Sequence, residues 1–195
     1  LYIENGKKII KVEVKACLKD RKEVMRKLQD LGCKFSEELH QIDHIFMPEG
    51  TLFPSPIETP VLRVRKQNDA TYFFTLKISQ GSRQDSLERE LEIKDGIKMM
   101  EILKLLKWEE NIIVDKKRIK TNFKDIEIVL DDVKNLGEFI EAEKIVTNDN
   151  HEDKRQIQKE LFAFIETLGV SKEDHVIDGK YDIMLYEIHQ KLAVK

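Results

Sequence analysis

The sequence predicts an α+β fold: a closed or nearly closed eight-stranded antiparallel β-barrel with helices packed outside it. Three observations carry that expectation. Eight segments alternate apolar and polar residues with a period of two, most of their connections are too short for a helical crossover, and stretches of helical period lie between and after them. About eight antiparallel strands are enough to close a barrel. No Pro/Gly/Ser-rich linker and no internal repeat interrupts the 195 residues, so residues 1–195 read as a single domain.

The first strand is expected at 9–18 (IIKVEVKACL), followed by a helix over 19–32 with Val24, Leu28 and Leu31 on one face. Strands at 38–47 and 61–67 flank a loop at 48–60 that holds Pro54, Pro56 and Pro60, and further strands follow at 71–79 and 86–94. A helix over 96–107 carries Ile102, Leu105 and Leu106, and strands at 111–121, 125–132 and 137–146 complete the eight. The helix over 151–169 lines up Ile157, Leu161, Phe164, Ile165 and Leu168, and a last helix occupies 180–193.

The informative feature lies opposite the apolar face of each strand. Val12, Val14 and Ala16 point one way, and Lys11, Glu13 and Lys15 the other, because successive side chains alternate across a sheet. The same parity places Arg63 and Arg65 opposite Leu62 and Val64, Lys77 opposite Leu76 and Ile78, and Glu88, Glu90 and Glu92 opposite Leu87, Leu91 and Ile93. Lys116 and Arg118 follow, then Glu127 and Asp131, then Glu141 and Glu143. A solvated face would mix in Ser, Thr, Asn and Gln, whereas this one is dominated by ions of both signs. Enclosed in a barrel, its cations can grip a polyanion and its carboxylates can hold Mg²⁺ or Mn²⁺ against phosphate oxygens.

Composition excludes several classes. Lys and Arg number 34 against 37 Asp and Glu, a net charge of −3, so neither nucleic acid nor an anionic membrane is an expected partner. No apolar run approaches the roughly 20 residues that cross a bilayer, and LYIENGKK has no signal-like apolar core. Cys17 and Cys33 fit neither a disulfide framework nor a zinc site, and a reducing cytoplasm is the expected location.

The residues resemble the CYTH superfamily, the triphosphate tunnel fold shared by class IV adenylyl cyclases and thiamine or inorganic triphosphatases. The resemblance covers roughly residues 9 to 185. Its ExExK strand reads KVEVK at 11–15, where Glu13 and Lys15 match and Lys11 stands in place of the first glutamate. Further matches are QIDHIF at 41–46, LRVRK at 62–66, TLK at 75–77, ERELE at 88–92, VDKKR at 114–118 and LDDVKNLGEFIEAE at 130–143. The last segment, the QxD segment and Tyr181 are most similar to the cyclase-like branch.

The resemblance implies that Lys15, Arg63, Arg65, Lys77, Lys116 and Arg118 bind the triphosphate together with Tyr181, with Lys15, Arg118 and Asp131 catalytic. It implies Glu13, Glu90, Glu92, Asp131, Glu141 and Glu143 as ligands of Mg²⁺ or Mn²⁺, and a homodimer. The implied reaction is conversion of ATP to 3′,5′-cyclic AMP and pyrophosphate. Hydrolysis of tripolyphosphate, thiamine triphosphate or a nucleoside triphosphate stands beside it, as does a triphosphate binder without turnover, because Lys11 removes one acidic group and adds a charge that repels metal.

Other residues read as structural. His40 and His44 are about 13 Å apart along a strand and should not share a metal. Cys17 and Cys33 lack a paired histidine and read as reduced thiols. Trp108, Met99 and Met100 read as packing residues. The run KEDHVIDGKYD at 172–182 is either a lid or a plain surface loop.

Overall fold

The computed structural model describes residues 2–4, 7–80, 82–146, 151–177 and 179–193. The chain divides into two compact units, and the long strand β7 (Trp108–Phe123) contributes residues to both.

The first unit comprises residues 1–38, 117–133 and 137–177. Its strands are β1 (Tyr2–Glu4), β2 (Lys7–Cys17), β8 (Ile126–Val133), β9 (Gly137–Val146) and the later part of β7, in the antiparallel order β1-β2-β9-β8-β7. Alternation decides which face is dry. Val12, Val14, Ala16, Ile119, Ile128, Leu130, Ile140 and Ala142 form one continuous core with residues of helices α1 (Arg21–Asp30) and α3 (His151–Thr167). Val24 and Leu28 come from α1; Leu161, Ile165 and Leu168 come from α3. Burying such a side chain stabilises by about 1.5–3 kcal/mol, enough to fix the strand register because a one-residue slip would put ions in the core. Asp20 caps α1, its Oδ1 accepting from the Glu23 amide at 3.0 Å. The chain leaves α3 through Gly169, whose φ of +101° suits glycine.

The second unit comprises residues 39–116, 134–136 and 178–195. Here β3 (Leu39–Pro48), β4 (Pro60–Gln67), β5 (Thr71–Gln80) and β6 (Ser82–Ile93) follow the early part of β7 in the order β7-β3-β4-β5-β6. Phe46, Leu62, Val64 and Leu103 form its core, with Met99, Met100 and Trp108 packed against them. Leu103, Met99 and Met100 come from α2 (Gly96–Leu105), which Asp95 caps by accepting from the Lys98 amide at 2.8 Å. Helix α4 (Tyr181–Ala193) buries Tyr181, Ile183 and Leu185.

The α+β class and the antiparallel pairing stand as expected, and all eight expected strands and four helices form. The expected closure does not. The hydrogen-bonded strand order is an open run with two ends, and among the described residues no ladder returns to its start. The outer edge of β2 is instead met by two short strands the periodicity missed: β1, pairing Tyr2 with Ile9, and β10 (His175–Val176), pairing His175 with Ala16. Strands of two or three residues are too short to show a period. The 172–182 run is more structured than a loop or lid, since it holds a 3-10 turn at Lys172–Asp174, β10 and the start of α4; within it residue 178 lies outside the described residues. Among the described residues no helix is long and apolar enough to cross a membrane.

Candidate functional site

In the first unit the face opposite the core carries an ion-paired cluster. Arg118 donates through Nε to Asp131 Oδ1 at 2.7 Å and through Nη2 to Glu141 Oε2 at 3.0 Å. Lys15 lies 3.0 Å from Glu141 and 3.9 Å from Glu13, and Lys11 lies 3.0 Å from Glu143. Burial by itself would lower the Lys15 pKa, but Glu141 and Glu13 outweigh it and hold the ammonium above its ordinary value. Asp131 is fully buried, and its oxygens meet Arg118 in the bidentate fork that only a guanidinium supplies.

The carboxylate register bears on metal binding. Glu13 of β2 pairs directly with Glu143 of β9, which on its other side pairs with Glu127 of β8. Residues directly opposite share a face, with Cβ atoms about 5 Å apart. Among the described residues no three His, Cys, Asp or Glu side chains are gathered as a ready-made metal cage. Mg²⁺ does not need one, since it takes one or two carboxylates and completes its shell with phosphate oxygens and water. The hard oxygen donors of Glu13 and Glu143 fit that requirement.

In the second unit Asp43 is the centre of a cationic cluster. Arg65 donates to both of its oxygens at 2.6 and 2.8 Å, Lys116 lies 3.7 Å away and Arg63 3.8 Å. Burial would raise the Asp43 pKa, but Lys116, Arg63 and Arg65 together hold the carboxyl far below the carboxylate range. Register explains the gathering: Asp43 pairs with Arg65 and Ile45 with Arg63, so all lie on one face of β3 and β4. On β5 and β6, Arg63 meets Glu90 at 2.8 Å, Thr75 donates to Glu90 at 2.7 Å, and Lys77 meets Glu88 at 2.8 Å. Glu88, partly desolvated but beside Lys77, is held down to about 2. Glu92 lies one step further along β6, exposed. The Lys116 ammonium sits 5.3 Å from the centre of the Tyr181 ring, a cation–π distance.

The expected site residues thus fall into two sets. Lys15, Glu13, Arg118, Asp131, Glu141 and Glu143 gather in the first unit; Arg63, Arg65, Lys77, Lys116, Glu90, Glu92 and Tyr181 belong to the second. The implied site set left out Asp43, Glu88 and Thr75, although alternation had already put Glu88 on the charged face. Asp43 was masked by its own strand, whose polar parity continues into buried Ile45 and Met47 and so does not read as charged. The QIDHIF motif was the signal that could have found it. His40 pairs with Asp115 at 2.7 Å and His44 with Glu110, so the two histidines do not share a ligand. Burial and Asp174 push the Cys17 thiol up, against a nucleophilic thiolate.

Fold and face define a class: an α+β protein whose antiparallel strands present basic and acidic side chains together on the surface opposite their cores. The CYTH domain family model matches residues 10–179, and the chain belongs to that family. It is similar to a Methanocaldococcus jannaschii protein whose name proposes an adenylate cyclase, 33% identical over 175 residues that cover 89% of this chain and 97% of that one. A solved Pyrococcus horikoshii protein is 28% identical with a TM-score of 0.72, covering 90% of this chain and 99% of that chain. A Hippeastrum protein named for adenylyl cyclase and described as having a dominant triphosphatase activity shares the fold at 12% identity, TM-score 0.55, over 93% of this chain and 96% of its own.

Proposed function

We propose that this CYTH protein is an adenylyl cyclase of the class IV type, converting ATP to 3′,5′-cyclic AMP and pyrophosphate. The observation that carries the reading is the interleaving of cations and carboxylates within each unit. Arg63, Arg65, Lys77, Lys116, Lys15 and Arg118 are each held in place by a carboxylate, so the cations are oriented before any phosphate arrives. The Methanocaldococcus relative, matched over nearly its whole length, supports the cyclase branch.

The cations would take the phosphate oxygens, exchanging carboxylate for phosphate partners without losing their charge balance. The 3′-hydroxyl oxygen of ATP bonds to the α-phosphorus and gives its proton to solvent water, the bond from that phosphorus to the oxygen bridging it to the β-phosphorus breaks, and pyrophosphate leaves with that oxygen. No protein nucleophile is needed. Lys15 and Arg118 would hold the charge that builds on the phosphates, while Asp131 acts through Arg118 as a positioning residue. Glu13, Glu141 and Glu143 of the first unit are carboxylates that would hold Mg²⁺ or Mn²⁺, and the family resemblance assigns the same role, within the second unit, to Glu90 and Glu92. A divalent ion bound there supplies neutralisation of phosphate charge and a more acidic 3′-hydroxyl. The reading includes a cytoplasmic homodimer acting on a small molecule, without nucleic-acid or membrane partners.

A second reading, hydrolysis of a triphosphate, uses the same cations with water attacking the terminal phosphorus. It is favoured by the fact that the paired cations are phosphate-reading groups, indifferent to a base. Incubation with ATP or tripolyphosphate and Mg²⁺ or Mn²⁺, followed by chromatography of the products, separates the two. Equimolar cyclic AMP and pyrophosphate are expected. Orthophosphate with ADP or diphosphate replaces the cyclase reading with the hydrolase, and binding without product leaves a triphosphate binder.

A further inference from the structure

The Glu13, Glu143 and Glu127 row places Glu143 between two other carboxylates, an arrangement that like-charge repulsion disfavours. Lys11 answers it. Its backbone pairs with Ile145, one register step from Glu143 on the same face, and its Nζ lies 3.0 Å from Glu143 Oε1. Glu127 is separately met by Lys120 at 3.0 Å. Across this face the carboxylates Glu13, Glu127, Asp131, Glu141 and Glu143 stand against Lys11, Lys15, Arg118 and Lys120, a local balance of −1. A glutamate at position 11 would make it −3.

We infer that Lys11 is a tethered counter-ion that stands where a divalent cation would otherwise sit against Glu143, so that this chain binds metal at the row weakly unless Lys11 is displaced. The inference rests on the functional reading above in taking the row as the place for a divalent ion, and it concerns the position at which KVEVK departs from the ExExK pattern. The Lys11 side chain is 55% exposed and that of Glu143 18%, so the pair is not locked by packing and contributes little to stability. Its effect on a divalent ion is larger than its effect on the fold. A unit charge about 6 Å from a doubly charged ion shifts affinity by about tenfold even in water's dielectric. The ammonium thereby substitutes for one positive charge of a metal and leaves triphosphate binding less dependent on added metal.

The test is Mn²⁺ binding by the whole protein, followed from the electron paramagnetic resonance signal of free Mn²⁺ and requiring no turnover. Wild type is compared with Lys11→Met, Lys11→Gln and Lys11→Met/Glu143→Gln. Because Lys11 is more than half exposed, the single variants should melt as wild type does, and the glutamine variant provides a second neutral replacement. About tenfold tighter Mn²⁺ binding in both single variants, cancelled by Glu143→Gln, is the expected result. Affinity within twofold of wild type in both, or a gain that survives Glu143→Gln, overturns the inference. The ATP product assay on wild type is independent: tighter Mn²⁺ binding without any product removes the enzymatic reading and leaves Lys11's role standing. Turnover of ATP with no Lys11 effect on Mn²⁺ does the reverse.

Discussion

Asp131, with no solvent exposure, holds Arg118 through both of its oxygens, and Arg118 in turn reaches Glu141. A buried carboxylate that meets one guanidinium through both oxygens fixes that guanidinium's plane. Removing the carboxylate leaves a desolvated charge short of its partner, so Asp131→Ala should cost about 3 kcal/mol in urea unfolding. Arg118→Lys keeps the charge but loses the fork, and should weaken tripolyphosphate binding at least tenfold in calorimetry with a smaller loss of stability.

Asp43 behaves in the opposite sense toward ligand. It is the shared counter-ion of Arg63, Arg65 and Lys116, all nearly buried, and Asp43→Asn should lower the melting temperature of the free protein by removing it. The same change frees those cations for phosphate. Tripolyphosphate should therefore raise the melting temperature of Asp43→Asn more than that of wild type, and equal shifts would show that these cations do not meet phosphate.

The acid side of the stability profile follows from Glu88 and Asp43. Glu88 is held down from 4.5 to about 2, and Asp43 is held lower than its ordinary value as well. A carboxylate whose pKa is depressed in the folded state stabilises above its unfolded pKa, and that contribution is lost as pH falls through the folded value. Unfolding free energy should therefore decline from about pH 4.5 toward pH 2, and Glu88→Gln should make the decline shallower. An unchanged slope would remove Glu88 from the account.

Gly96 opens α2 against Tyr72, and a Cβ there would lie 2.0 Å from the Tyr72 ring. Cε1 and Cγ of the same ring would each lie 2.6 Å from that Cβ, so the contact is with the body of the ring and not with its far end. Gly96→Ala should destabilise by about 1–3 kcal/mol, as overpacking does. Tyr72→Ala in the same chain should relieve the clash, giving a non-additive double-mutant cycle.

Much of the architecture was legible because it depends on local periodicity. The alternation in KVEVK and LRVRK and the 3.6-residue spacing of Leu161, Ile165 and Leu168 each declare an element and its dry face within a few residues. The charged faces were legible by the same parity, and the motif spacing sufficed to reach the CYTH family before any coordinates. Asp43 was not, because its importance comes from Arg65 across the ladder and from Lys116 some seventy positions away in the chain.

The sequence by itself determined the elements, which side of each strand is dry, and which ions lie on the opposite side of that strand, since these follow from backbone geometry and the transfer of side chains out of water. Only the tertiary structure decided which edges pair, that the ladder stays open with β1 and β10 against β2, and which carboxylate answers which cation. Those outcomes depend on contacts between residues distant in sequence. The Lys11 to Glu143 pair is the plainest instance: one residue departs from a motif at the start of the chain, and its meaning is set by a strand that begins at Gly137.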